Sequence, residues 1–281
     1  VEAVAANQFA AIGGEGSVTI TGGVINAAGK NNAAGIGSNG DIRITGGEIT
    51  VSAEGLGAAI GGYAGVDCGN ITIQGNVIKS VISSGAGACI GGASNRSAGS
   101  ITISNAKLPP LNGTSLIGWI RGNTAGSLTI RNCYIESTDT AAGSGIQVSD
   151  NGNIRIENSE VKLPEKRDIR AGDGGSIVIR DSTIHSNGIY MLGNLNEAKN
   201  LKRLEITGST VVTAGNVIGA MGSRASVDEI VIHGSSLSPA EGADHYYAIG
   251  GGEYASFGSI DIQGSQINIP LASNGAAIGG G

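Results

Sequence analysis

The chain is poor in almost everything that builds an ordinary globular core. It holds one Trp, two Phe, five Pro and three Cys, and charged residues make up only 14% of its 281 positions. So few charges argue against an architecture of helices with solvated faces. Three Cys with no Cys-x-x-Cys pair and no Cys/His spacing exclude a disulfide framework and a zinc site. Cys68 in a loop, Cys89 in a strand and Cys133 at a bend are expected as isolated buried thiols. No apolar run reaches the length of about 18 residues that a membrane span requires, so membrane insertion is not expected. The formal charge of −6, with no block of Lys or Arg, disfavours nucleic acid as a partner. The most basic stretch, Lys162 to Arg170, also contains Glu165 and Asp168 and reads as a solvated loop.

Glycine is abundant, at 50 residues, but shows no G-X-Y period, so a collagen helix is excluded. The glycines punctuate a repeat. An apolar-x-apolar pair recurs ten times: Val18/Ile20, Ile42/Ile44, Ile71/Ile73, Ile101/Ile103, Leu128/Ile130, Ile154/Ile156, Ile177/Ile179, Leu204/Ile206, Ile230/Ile232 and Ile260/Ile262. The spacing runs from 23 to 30 residues, the signature of a stacked repeat whose units bury apolar faces against one another.

Two positions after each pair stands Gly22, Gly46, Gly75, Asn105, Asn132, Asn158, Asp181, Gly208, Gly234 or Gly264. These residue types tolerate a left-handed backbone, so the column predicts an αL bend. A second apolar column follows three residues later, at Ile25, Ile49, Ile78, Leu108, Ile135, Val161, Ile184, Val211, Leu237 and Ile267. A third, often in an Ala-x-Ile-Gly-Gly setting, comprises Ile12, Ile36, Ile60, Ile90, Ile117, Ile146, Ile169, Leu192, Ile218, Ile249 and Ile278.

Three short strands per unit and no room for a helix predict an all-β parallel β-helix of ten to eleven rungs, forming one domain over 1–281. It should be right-handed, because parallel crossovers favour that hand, and about 50 Å long at a rung spacing of about 4.8 Å. Asn105, Asn132 and Asn158 should form a side-chain ladder. The chain opens inside one repeat (Ala10–Gly14) and stops inside another (Ala276–Gly281). That predicts a piece of a longer protein with flanking domains.

The order of Ile-x-Ile strand, Gly/Asn bend, short strand and Ile-Gly-Gly strand resembles the right-handed parallel β-helices of the pectin-lyase-like superfamily, along the whole chain. The Ala-Ala-Ile-Gly-Gly and Ile-Thr-Ile-x-Gly-Gly pattern is similar to glycine-rich β-helical segments of large bacterial surface or secreted proteins. The resemblance implies an extracellular or cell-surface location. It also implies a polysaccharide or host glycan as partner, gripped along the Ile-Gly-Gly strand and its loops. The superfamily's polygalacturonase motifs are missing: Asn123-Thr124-Ala125 stands in place of Asn-Thr-Asp, and Ile232-His233-Gly234 in place of Gly-His-Gly. His185, His233 and His245 occupy different register positions, so no shared metal or triad is expected, and no cofactor is implied.

The Ile-Gly-Gly strand stops being bland in rungs five to eight, where Trp119, Arg121, Gln147, Asp150, Arg170, Asp173 and Tyr190 appear. Gln147 and Arg170 adjoin inward isoleucines and should point outward. Arg, carboxylate and aromatic groups on one strip suit saccharide binding. The competing expectation is a set of surface ion pairs, Arg121–Asp150 and Arg170–Asp173, with Trp119 plugging a loop. A second candidate is Tyr246 and Tyr247, crowded with His245 and Tyr254 around Ile249. The reading is a non-catalytic, adhesin-like or carbohydrate-binding module. The alternatives are a structural spacer and a polysaccharide-processing enzyme. In the enzyme, Asp150 and Asp173 would be the acids, with Asp168 and Arg170 supporting; backbones one rung apart, roughly 5 Å, lie nearer the retaining than the inverting separation.

Overall fold

A computed structural model describes residues 1–118, 126–140, 143–192, 197–215, 217–241, 249–251, 254–268 and 277–279. Among them there is no helix, and the strands pair in parallel throughout. The ten Ile-x-Ile pairs stack in one register, from Val18↔Ile42 through Leu128↔Ile154 to Ile230↔Ile260. The strands after the bend stack likewise, Ile135↔Val161↔Ile184↔Val211↔Leu237↔Ile267 in the later rungs. The molecule is thus a β-solenoid of three walls, referred to below as the first (Ile-x-Ile), second (after the bend) and third (Ile-Gly-Gly) walls. Each rung enters by its third-wall strand.

The inward isoleucines close the core. Ile44, Ile73, Ile103, Ile130, Ile156, Ile179 and Ile206 have no exposed surface, and burying each contributes about 1.5–3 kcal/mol relative to exposure. At the two ends Ile12 and Val18, and Ile260, Ile262 and Ile267, are only partly buried.

Two register details differ from the sequence expectation. In the later rungs the bend residues hold the left-handed conformation, with φ of 53° at Asn105 and Asn132, 46° at Asn158 and 49° at Asp181. In the first two rungs it falls instead on Gly23 and Gly47, at 90° and 97°. A second glycine there permits a slip, and the pairing shifts between Ile20 and Thr21. In the third wall the eighth inward residue is Ile189, paired with Ile169 and Ile218, and not Leu192, whose partner is Met221. The seventh rung's return is shorter than the mean spacing suggests.

Of the expected Asn105, Asn132 and Asn158 ladder, the first step is formed, Asn132 Nδ2 donating to Asn105 Oδ1 over 2.9 Å. Beside it runs a buried ladder of hydroxyls. The amides of Cys133, Ser159, Ser182, Ser209 and Ser235 each donate to the hydroxyl of the next rung, Ser159, Ser182, Ser209, Ser235 and Ser265, at 3.1 Å. Cys133 therefore sits one residue past the bend, as the thiol member of this column.

Candidate functional site

The residue after each inward isoleucine of the third wall forms one column: Gly13, Gly37, Gly61, Gly91, Gly118, Gln147, Arg170, Tyr190, Gly219, Gly250 and Gly279. Glycine is obligatory at most of these positions. Gly13, Gly61, Gly91, Gly118, Gly219 and Gly250 hold φ between 113° and 146°. A Cβ on any of them would fall 1.7–2.2 Å from the carbonyl oxygen of the next rung. Side chains break the column at three consecutive rungs, Gln147, Arg170 and Tyr190, where the backbone has left that conformation. A smooth wall acquires chemistry at one place.

The three side chains are tied to their neighbours. Arg170 Nη2 donates to Ser144 Oγ and to Gln147 Oε1, the latter over 3.2 Å. Ser144 Oγ in turn donates to Gln147 Oε1 at 2.7 Å. Arg170 Nε is buried with no partner among the described residues, an unmet donor of the kind that calls for an explanation. Tyr190 is not the exposed stacking platform anticipated: it is 2% exposed and donates its phenolic hydrogen to Asp168 Oδ2 at 2.7 Å. Asn187 Nδ2 donates to the other oxygen, Oδ1, at 3.0 Å. Burial and the adjoining Asp168 carboxylate push the Tyr190 phenol above its ordinary pKa, so the hydroxyl remains a donor at neutral pH.

Asp150 and Asp173 lie at the corner after this strand, on adjacent rungs. Asp150 Oδ1 accepts the Asp173 amide at 2.8 Å, and Asp173 Oδ1 accepts the Asn200 amide at 2.6 Å. Each carboxylate thus caps the backbone of the following rung. Asp150 also binds Lys199 Nζ through both oxygens at 3.2 Å. Arg170 engages Ser144 and Gln147 rather than the Asp173 expected as its ion-pair partner. Trp119, Arg121, Tyr246 and Tyr247, with His245, lie outside the described residues.

Beneath the cluster the 162–170 stretch is solvated at Glu165 and Lys166, as expected, but covered at Arg167 and Asp168. Arg167 has no exposed surface and Asp168 only 7%. Arg167 Nη2 pairs with Asp139 Oδ2 at 3.0 Å, and Nη1 donates to the carbonyls of Thr114 and Ser144 at 3.0 and 3.2 Å. Strand alternation explains the reversal: Arg167, Ile169 and Ala171 share the inner face of Arg167–Ala171. A buried guanidinium is tolerated because one carboxylate and three carbonyls meet it.

The thiols are built for packing. Burial pushes Cys68 and Cys89 up to about 12, so neither is a nucleophile at neutral pH. No group of three His, Cys, Asp or Glu among the described residues could hold a metal ion. On the second wall Tyr134 lies with the Lys107 and Lys162 ammonium groups each 5.3 Å from its ring centroid. The arrangement on the third wall places hydrogen-bond donors and acceptors side by side on a strip otherwise lined by glycine. The family described as right handed beta helix region matches residues 64–237, well over half of the chain. No curated protein and no solved structure matches it.

Proposed function

The chain belongs to the right-handed β-helix family, and on that premise we propose that it is a non-catalytic, adhesin-like module of the cell surface or extracellular space that binds a carbohydrate along its third wall. The observation that carries this reading is the interruption of the glycine column by Gln147, Arg170 and Tyr190 in three successive rungs. At most other rungs this column admits no Cβ, so side chains at one spot are an addition to what the fold requires. Arg170 and Gln147, held by Ser144, supply the donor and acceptor edges that orient sugar hydroxyls. Lys199 and Asp150 extend the polar strip to the corner. Tyr190 acts from below, by fixing Asp168.

The capping of Asp173 and Asn200 by the two corner carboxylates favours binding over hydrolysis, since it gives both acids a structural task. Screening the protein on a glycan array, then assaying each hit for released reducing ends or unsaturated products, tests the reading. Binding without product is the expected result. Product release abolished by Asp150→Asn or Asp173→Asn would install the enzyme instead, and an array without hits would leave a structural spacer.

A further inference from the structure

The first wall carries charge of a different design. Four consecutive rungs place Arg131, Arg155, Arg180 and Arg203 on its outer face, interleaved with Glu157 and Glu205. Glu157 receives Arg131 Nε and Nη2 at 3.2 and 2.9 Å and also Arg155. Glu205 receives Arg180 Nε at 2.7 Å and Arg203 Nε at 3.0 Å. The two signs are not equally presented. The four arginine side chains are 55, 43, 42 and 37% exposed, whereas Glu157 and Glu205 are 12 and 9% exposed. The carboxylates are sunk into the wall and the guanidinium groups stand over them.

We propose that this strip is a docking surface for a linear polyanion, a glycan bearing sulfate or carboxylate groups. Each guanidinium spends one or two of its N–H groups on a glutamate and keeps the others, of the five it carries, for a second anion. The sunken carboxylates fix the guanidinium planes before a ligand arrives, which lowers the ordering cost of binding. The guanidinium groups gather as two pairs, Arg131 with Arg155 on Glu157 and Arg180 with Arg203 on Glu205, in three neighbouring columns of the wall, so at about 4.8 Å per rung the band offers cations to a polyanion over roughly 14 Å of the solenoid's length. Glu229, exposed at 42% and paired with Arg203, closes the strip at one end. The chain as a whole carries −6, so a local surface of guanidinium groups is not a by-product of a basic composition. The strip lies on a different wall from the glycine-column cluster and stands whether or not that cluster binds sugar.

The test is titration of the full chain with heparin and with polygalacturonate, using dextran as the neutral control, at low and moderate salt. The two polyanions distinguish sulfate from carboxylate recognition. At least one should bind, with affinity that weakens as salt rises, and dextran should not compete. The double substitution Arg155→Gln and Arg203→Gln should weaken binding about tenfold or more. Glu229→Gln, which removes an exposed acid and leaves Arg203 on Glu205, should strengthen it by about two- to fivefold. Lys79→Gln, a cation off the strip, should change nothing. Absence of binding at low salt, equal affinities in all variants, or tighter binding of single-stranded DNA than of either glycan would overturn the proposal.

Discussion

Tyr190 donates its phenolic hydrogen to Asp168 Oδ2 at 2.7 Å, and both residues are almost wholly covered although both stand on the outward side of the third wall. An aromatic ring that could have served as a platform is instead a clamp on a carboxylate. Replacing Tyr190 with Phe removes the donor and keeps the ring, leaving Asp168 with Asn187 alone. Thermal or denaturant unfolding of Tyr190→Phe should show a loss of about 1–3 kcal/mol, the cost of an unsatisfied buried acceptor. Unchanged stability would mean that the pair is not closed in solution.

The glycine column makes a sharper prediction about inside and outside. Gly91→Ala would bring a Cβ to 1.7 Å from the Gly118 carbonyl at a φ of 146°. It should cost at least about 1–3 kcal/mol from backbone strain alone. Ile146→Ala, a cavity in the stack, should cost about 2–5 kcal/mol. Gln147→Ala, next to Ile146 and in the column of Gly91, should stay within roughly 0.5 kcal/mol. Denaturant midpoints of the three variants check the order, and a large effect at Gln147 would contradict the assignment of faces.

Buried hydroxyls carry the second wall across the bend. Ser182 Oγ accepts the Ser159 amide at 3.1 Å and donates to the Arg180 carbonyl at 2.6 Å. Ser182→Ala should orphan both and cost about 1–3 kcal/mol. Cys133→Ser places a hydroxyl where a thiol now donates to the Arg131 carbonyl, and its melting temperature should equal or exceed that of the parent chain. A clear loss of stability in Cys133→Ser would show that the column is set by volume and not by hydrogen bonding.

Acid should weaken the first wall, although its carboxylates keep their charge below the ordinary carboxylate range. Hydrogen bonds from Arg155 and Arg131 hold Glu157 below its ordinary value of 4.5; at Glu205 burial pushes the other way, but Arg180 and Arg203 outweigh it. A carboxylate lowered in the folded state stabilises the fold above its unfolded value and loses that contribution as pH falls through the folded one. Melting temperatures measured from neutrality downward should therefore fall below about pH 4.5 more steeply for the parent chain than for Glu157→Gln/Glu205→Gln. Parallel curves would remove these two groups from the acid response.

The apolar columns were legible because strand alternation and rung stacking force one residue type into one position, and the αL bend because few residues tolerate it. The register slip at Gly23 and Gly47 was not legible, since Gly22-Gly23 and Gly46-Gly47 offer two equal choices to a pattern. Ile189 was hidden for a related reason: both it and Leu192 satisfy an apolar position, and only pairing with Ile169 and Ile218 separates them. The serine column was open to reading in Asn158-Ser159, Asp181-Ser182, Gly208-Ser209, Gly234-Ser235 and Gly264-Ser265, a repeated pair set beside the louder isoleucines. Charge pattern misplaced Arg167 because a loop of variable length delivers Asp139 to it, and no local rule reports such a meeting. In the candidate site the outward placement of Gln147 and Arg170 followed from alternation, while the covering of Tyr190 depended on where Asp168 stood one rung away.

If the side chains breaking the glycine column bind carbohydrate, an array-identified glycan should lose affinity for the Arg170→Ala protein. Arg170 Nη2 donates to Ser144 and Gln147, and strand alternation points its side chain away from the core that Ile169 enters. The expected loss is at least about tenfold, the scale seen when a charged hydrogen-bonding group is removed from a binding site, at a melting temperature close to that of the parent chain. Undiminished affinity in a folded Arg170→Ala protein would contradict it.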